Sequence, residues 1–282
     1  MWCSKLVLVP IILQIIGKVS GLFGGFYVNP KHNHFEFVVL VSQDNVHPCT
    51  GSLIHKDWVI LARHCLDTED PLADNVQVTY GTVENPPTGE TIIREVIKVE
   101  SYYELTGAED KVTETETIFD QDLMLLKLNE SIDGTVVKVS ASTFTKGSKL
   151  WTAGFGPNSA STAAKEGNLR YSPFLLSSND ECKNSRFRPS KFNGCFLSNT
   201  NGDKKEVIYT GGDSGGPVVA FVAGSKTQTD NSARLVGVNS RSDTKDGRSV
   251  GPSFFLWITE DVCAWLKSRT NGDVKCTASG EA

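Results

Sequence analysis

Gly211-Gly212-Asp213-Ser214-Gly215-Gly216-Pro217 runs directly into the apolar Val218-Val219-Ala220. A serine set among glycines lets a substrate approach the backbone closely, and the glycines permit conformations that aim several N–H groups at one point. Taken alone, such a string is most often only a turn. Two others give it meaning. Leu61-Ala62-Arg63-His64-Cys65 follows the apolar Trp58-Val59-Ile60. Asp120-Gln121-Asp122 leads into Leu123-Met124-Leu125-Leu126-Lys127-Leu128, where an aspartate ahead of an apolar strand can be buried. A lone histidine beside a cysteine is usually structural, and a lone aspartate before a strand is usually a turn residue. Their joint appearance in the order His, Asp, Ser is what points to nucleophilic chemistry.

The surroundings are those of a β protein. Short β-branched runs recur at Phe35–Val41, Val76–Tyr80, Ile92–Val99, Leu123–Leu128, Leu150–Phe155, Pro217–Val222, Leu235–Val238 and Phe254–Ile258. Turn-rich stretches such as Glu84–Gly89, Gly156–Asn168 and Asn199–Lys204 separate them, which predicts a barrel or sandwich. The Ser/Ala/Thr-rich Asn158–Ala164 reads as a loop. One helix is predicted, near the end. Thr259 can cap it, Glu260 and Asp261 suit its first turn, and Ile258, Val262, Trp265 and Leu266 share a face. Lys267 and Arg269 suit its last turn, and Gly272 follows it.

With 282 residues, 39% of them hydrophobic and 22% charged, the chain can build a substantial core. A net charge of −5 argues against nucleic acid as a partner. No glycine-rich nucleotide string occurs. Behind Lys5, the run Leu6–Ile16 is too short to cross a bilayer but fits the core of a secretion signal, with Val19-Ser20-Gly21 offering small residues for cleavage. Residues 1–21 are therefore expected to leave, and the remainder to be secreted and free of the membrane. Cys3 leaves with them. Cys49, Cys65, Cys182, Cys195, Cys263 and Cys276 remain, an even set that suits three disulfides in an oxidising compartment but admits about 15 pairings. No Cys-x2-Cys spacing suggests zinc.

From about Leu22 to Leu266 the chain resembles the chymotrypsin/trypsin-like serine endopeptidase family. Leu22-Phe23-Gly24-Gly25 is similar to that family's Ile-Val-Gly-Gly mature start, and Cys49-Thr50-Gly51-Ser52-Leu53-Ile54 to its Cys-Gly-Gly-Ser-Leu-Ile strand. Gly154-Phe155-Gly156 stands where Gly-Trp-Gly is usual, and the terminal helix with Trp265 also matches. The order His, Asp, Ser separates this family from subtilisins and α/β-hydrolases. The resemblance implies an all-β fold: two antiparallel six-stranded β-barrels, residues 22–140 with His64 and Asp122 and residues 141–282 with Ser214, closed by a C-terminal α-helix. It pairs Cys49 with Cys65 and Cys182 with Cys195, and leaves Cys263 to Cys276.

It also implies the roles. Ser214 is the nucleophile, His64 the general base and acid, and Asp122 the residue that orients the imidazole; Asp120 has no catalytic role. The N–H groups of Gly212 and Ser214 form the oxyanion hole. The amine of Leu22 pairs with Asp213. Relatives often carry a propeptide ending in Arg or Lys, but no basic residue stands at Gly21, so removal of the signal itself is expected to free Leu22 with no stored zymogen. The pocket floor falls at Ile208, with Tyr209 beside it and Glu206 the nearest acid upstream. Ser240-Arg241-Ser242 resembles the family's Ser-Trp-Gly, so Ser240 and Ser242 line the groove and Arg241 replaces an aromatic. Ser253 takes a usual glycine position and narrows the pocket. Thr210 replaces a usual cysteine, removing one bridge. The expectation is a monomeric endopeptidase that cuts polypeptides after small or apolar residues and is a target for protein protease inhibitors. No cofactor and no metal are implied; Thr79–Glu90, where some relatives bind calcium, has no specific ligand pattern. Asn129-Glu130-Ser131 is a glycosylation sequon. The alternative is a catalytically inactive member serving as a secreted binding protein or toxin.

Overall fold

The computed structural model describes residues 22, 25–32, 34–44, 46–66, 75–102, 121–156, 167–187, 189–197, 209–222, 232–245 and 248–277. The leader 1–21, the loop 158–164, Asp120, Glu206 and Ile208 lie outside them.

Among the described residues fifteen strands carry the fold: β1 (Phe26–Tyr27), β2 (Val38–Gln43), β3 (Val46–His55), β4 (Trp58–Leu61), β5 (Val76–Tyr80), β6 (Ile92–Ser101), β7 (Met124–Leu128), β8 (Lys138–Ser140), β9 (Lys149–Gly154), β10 (Arg170–Leu175), β11 (Asn193–Phe196), β12 (Pro217–Phe221), β13 (Ala233–Lys245), β14 (Arg248–Trp257) and β15 (Cys276–Thr277). A short helix α1 (Asn179–Cys182) and the terminal helix α2 (Glu260–Arg269) complete it. The architecture is the expected one, all-β with a C-terminal helix. Strands β2-β3-β4-β7-β6-β5 close a six-stranded antiparallel barrel. The other strands form a nine-stranded sheet along the path β1-β10-β9-β12-β13-β14-β11, which β8 and β15 join through parallel pairings. Phe174 of β10 stacks on Phe196 of β11 at 4.2 Å, so side chains draw together two strands far apart on that path.

Both faces of the barrel's central strands are buried. Val39, Val41, Val59, Leu61, Met124, Leu126 and Leu128 fill the barrel, while Val38, Leu40, Ile60, Leu123 and Leu125 pack outward against Leu169, Val219, Leu235 and Trp265. Burial on two faces is why these strands read as unbroken apolar runs rather than alternating ones. The first run begins as strand only at Val38; Phe35–Phe37 turns, with the Val38 N–H on the Phe35 carbonyl at 2.9 Å and the Phe35 ring against Tyr171.

Helix α2 starts where its cap predicts, the Thr259 hydroxyl accepting from the Val262 N–H at 3.3 Å. Its buried face reaches back to the barrel. Trp265 meets Tyr102 edge-on at 5.2 Å, Arg269 pairs with Glu100 at 3.2 Å, and just beyond the helix Asp273 accepts from the Trp58 indole at 3.4 Å. Three disulfides join Cys49 to Cys65, Cys182 to Cys195 and Cys263 to Cys276, as the resemblance implied.

Candidate active site

Register brings the first two site residues together. Leu61, the end of β4, lies opposite Met124, the start of β7. The chain three residues past β4 and two residues before β7 therefore emerges at one end of the barrel, with His64 on a 3-10 turn and Asp122 beside it. The Arg63 N–H donates to the Asp122 carbonyl at 3.2 Å and fixes the two loops to each other.

Ser214 comes from the other sheet, on the turn ahead of β12. That turn is held on both sides. Gly215 N–H donates to Asn239 of β13 at 2.8 Å, and the Asn239 N–H returns to Gly216 at 2.8 Å. From the barrel, the Thr50 N–H donates to the Ser214 carbonyl at 2.9 Å. Gly215 has φ +81°, and a Cβ there would lie 2.2 Å from the Thr50 carbonyl oxygen, so only glycine fits.

The three side chains form a line. Asp122 is buried and its Oδ2 sits 2.7 Å from His64 Nδ1, while its Oδ1 accepts the His64 backbone N–H at 2.8 Å. His64 Nε2 lies 3.0 Å from Ser214 Oγ. Ser240 Oγ adds a hydrogen bond to Asp122 at 2.5 Å. Burial pushes the Asp122 carboxyl up, but the His64 imidazole, the Ser240 hydroxyl and the His64 backbone N–H outweigh it and hold it below the usual carboxylate range. An ionised carboxylate only accepts, so Nδ1 carries the ring proton and Nε2 is left to accept from the serine.

Behind the serine, Asp213 is fully buried and accepts from Gly156 N–H at 2.9 Å, Thr210 N–H at 2.9 Å and the Thr210 hydroxyl at 3.0 Å. Thr210, found where a cysteine was usual, thus anchors the turn through hydrogen bonds. Burial raises the Asp213 pKa to about 6 despite these donors and the field of Arg170. The folded chain therefore keeps this proton to higher pH than the unfolded chain does. The stabilising contribution is complete below about pH 4 and is lost as pH rises through about 6, a cost of about 3 kcal/mol at neutral pH. In urea unfolding of the unprocessed Ser214→Ala chain, the advantage of an added Asp213→Asn change should widen by about 2 kcal/mol between pH 4 and 7. A gap that does not change with pH would show that the carboxylate is discharged in another way.

Leu22 is fully buried with Leu150, Phe174, Tyr209 and Val218. In the unprocessed chain its nitrogen is an amide, and the partners of Asp213 are Gly156 and Thr210 rather than Leu22. Gly212 has φ +96°, and its carbonyl is held by the Thr50 hydroxyl at 2.7 Å. The same hydroxyl accepts the Phe155 N–H at 3.0 Å. Sequence reading passed over Thr50; the signal was a threonine where the resembling strand has glycine.

A cleft of about 310 Å³ runs beside Ser214, lined by His64, Tyr209, Ser240 and Ser242 as well as by Arg186, Phe187 and Arg241. Tyr209 is buried and its hydroxyl donates to Asn239 Oδ1. Ser253 is buried across the ladder from Ser242 and does not line the cleft. Elsewhere, His55, Asp57 and Asp273 bring three possible metal-ligand atoms together, but Asp57 already holds Lys127 Nζ at 3.1 Å and the Ser131 hydroxyl.

Comparison with known proteins gives the family. The Trypsin family model matches residues 25–266. Kallikrein-1E2 of Equus caballus is 26% identical over 207 residues, 71% of this chain and 75% of that protein. Cationic trypsin-3 of Rattus norvegicus is 30% identical over 181 residues, 61% and 65% of the two chains. Serine protease 57 of Mus musculus is 26% identical over 209 residues, 71% and 68%.

Proposed function

The chain belongs to the trypsin family of serine endopeptidases, and on that premise we propose that it is a secreted, monomeric peptidase working through a His64–Asp122–Ser214 triad and an acyl-enzyme. The observation that carries the reading is the imidazole of His64 lying between Asp122 at 2.7 Å and Ser214 at 3.0 Å. Ser214 Oγ attacks the scissile carbonyl as His64 Nε2 takes its proton, and His64 then returns that proton to the leaving amine. Asp122 keeps the imidazole in the productive tautomer and stabilises the imidazolium. The N–H groups of Gly212 and Ser214 receive the oxyanion. Residues 22–140 and 141–282 supply the two halves of the cleft.

Removal of residues 1–21 frees the amine of Leu22 to pair with Asp213. The supporting observation is the cost of the Asp213 charge in the unprocessed chain, which a cation would offset. Members of this family act on polypeptides and are bound by protease inhibitors, and both classes are proposed as partners here.

For the residue before the cut, the proposal is small or apolar. Among the described residues the cleft is lined by two arginines and no carboxylate, so a substrate Lys or Arg head would meet like charge. The test pairs covalent labelling by a fluorophosphonate with kcat/KM on matched Ala, Leu, Phe and Arg peptide amides. Labelling at Ser214 with Ala or Leu ahead of Arg is expected. Arg as the preferred residue would overturn the specificity, and absence of labelling would overturn the mechanism.

A further inference from the structure

Resting on the peptidase reading above, we propose that Arg241 is a specificity-determining residue, receiving an Asp or Glu side chain of the substrate on the acyl side of the scissile bond. Arg241 follows Ser240, whose carbonyl lies 3.5 Å from Ser214 Oγ, so the residue stands one step along β13 from the reaction centre. The β13–β14 ladder shifts register between Asn239 and Arg241, skipping Ser240, and Asn239, Ser240, Arg241 and Ser242 all line the cleft.

The cleft lining holds two cations whose circumstances differ. Arg186 is committed: its Nε pairs with Asp243 at 3.2 Å and its Nη2 donates to the Ser242 carbonyl at 3.4 Å. Both guanidinium groups sit over the Phe187 ring, Arg186 at 4.6 Å and Arg241 at 5.7 Å. Arg241 has that ring contact but neither an ion pair nor a side-chain hydrogen bond among the described residues, and its Nε is buried with no acceptor. A permanently charged group with an unmet, desolvated donor is a cost that an incoming carboxylate removes, and the planar guanidinium fork matches a carboxylate in two hydrogen bonds. The phenyl ring holds the guanidinium in place without neutralising it.

The surroundings favour an anion. The chain carries a net charge of −5, yet the cleft lining contains Arg186 and Arg241 and, among the described residues, no acid. Asp243 lies two residues after Arg241 but is taken by Arg186. An extended substrate laid along Ser240–Ser242 presents alternate side chains to opposite faces. On this proposal the residue before the cut pairs with Ser240, whose carbonyl lies 3.5 Å from Ser214 Oγ, so that the second and fourth residues before the cut fall on the face of Arg241.

The experiment uses the secreted protein and peptides identical except for Glu, Gln or Lys at the second or fourth position before the cut. Glu over Gln over Lys is expected at one of these positions, each step about three- to tenfold in kcat/KM, the range for a part-exposed charge pair. High salt should flatten the series. Arg241→Glu should reverse it, placing Lys first. Loss of one positive charge with the preference intact, in Arg241→Gln, would overturn the assignment. So would equal turnover of all peptides by protein that labels with fluorophosphonate, and in that case the triad reading survives. Protein that neither labels nor cleaves overturns both.

Discussion

Ser214→Ala should lower kcat on a good peptide substrate by on the order of 10⁵–10⁶ and abolish fluorophosphonate labelling, while the protein stays folded. The side chain is a small hydroxyl on a turn whose conformation is set by backbone contacts to Thr50 and Asn239, and alanine leaves all of these in place. His64→Ala should cost about as much. Asp122→Asn should cost about 10⁴. The Asp122 carboxylate accepts from both His64 Nδ1 and the His64 backbone N–H, and from Ser240. An amide there must point its NH2 at one of these donors. The imidazole would then shift its proton to Nε2, where it can no longer accept from Ser214. The losses should not add when the changes are combined, because each alone stops the same proton transfer. Steady-state kinetics with circular dichroism as the folding control checks the series, and wild-type turnover by Ser214→Ala would refute the assignment.

Thr50→Val is the second large effect. The substitution keeps the shape and removes one hydroxyl, but that hydroxyl, on a fully buried residue, joins the buried Phe155 N–H to the part-buried Gly212 carbonyl. Valine leaves both groups unpaired, which costs about 1–3 kcal/mol for each. The peptide after Gly212 loses its anchor, and with it the φ of +96° that orients the proposed oxyanion donors. A drop of about 10- to 100-fold in kcat is expected, with KM little changed, since one fully lost donor is worth about 10²–10³. Thr50→Ser should restore most of the rate, which a purely packing role for the methyl group would not allow. Unaltered kcat in Thr50→Val would remove Thr50 from the mechanism and leave it a core residue.

Much of this could be read from the chain, and the rest could not, for physical reasons. Helix α2 was legible to its first residue because its cap, first-turn acids and apolar face are all local. The apolar barrel strands were legible because burial on both faces leaves no polar interruption. Arg170–Leu175 and Asn193–Phe196 escaped notice: one contains Pro173 and begins with a buried arginine, the other is four residues with an Asn-Gly start. Their strand character comes from partners, Lys149–Gly154 for the first and Ser253–Leu256 for the second. His64, Asp122 and Ser214 were readable because their three strings occur together in the order His, Asp, Ser, although each alone reads as a turn or a structural residue. Thr50 was not, since its partners lie 105 and 162 residues away in sequence. Arg186 and Phe187 reach the cleft wall only once the chain has folded back through the Cys182–Cys195 bridge and met β13.

The contacts between α2 and the barrel carry a consequence in time. Trp265, Arg269 and Asp273 close over Tyr102, Glu100 and Trp58, so a half of the molecule that is synthesised early is finished by a segment synthesised late. At the usual pace of translation, the stretch from Leu128 to Glu260 takes on the order of ten seconds. Through that interval the outward faces of Leu123, Leu125 and Phe35 lack part of their cover. Ser214 itself is made within it, ahead of α2. A chain that stalls before α2 therefore leaves the surface around Tyr102, Glu100 and Trp58 open and carries an aggregation risk.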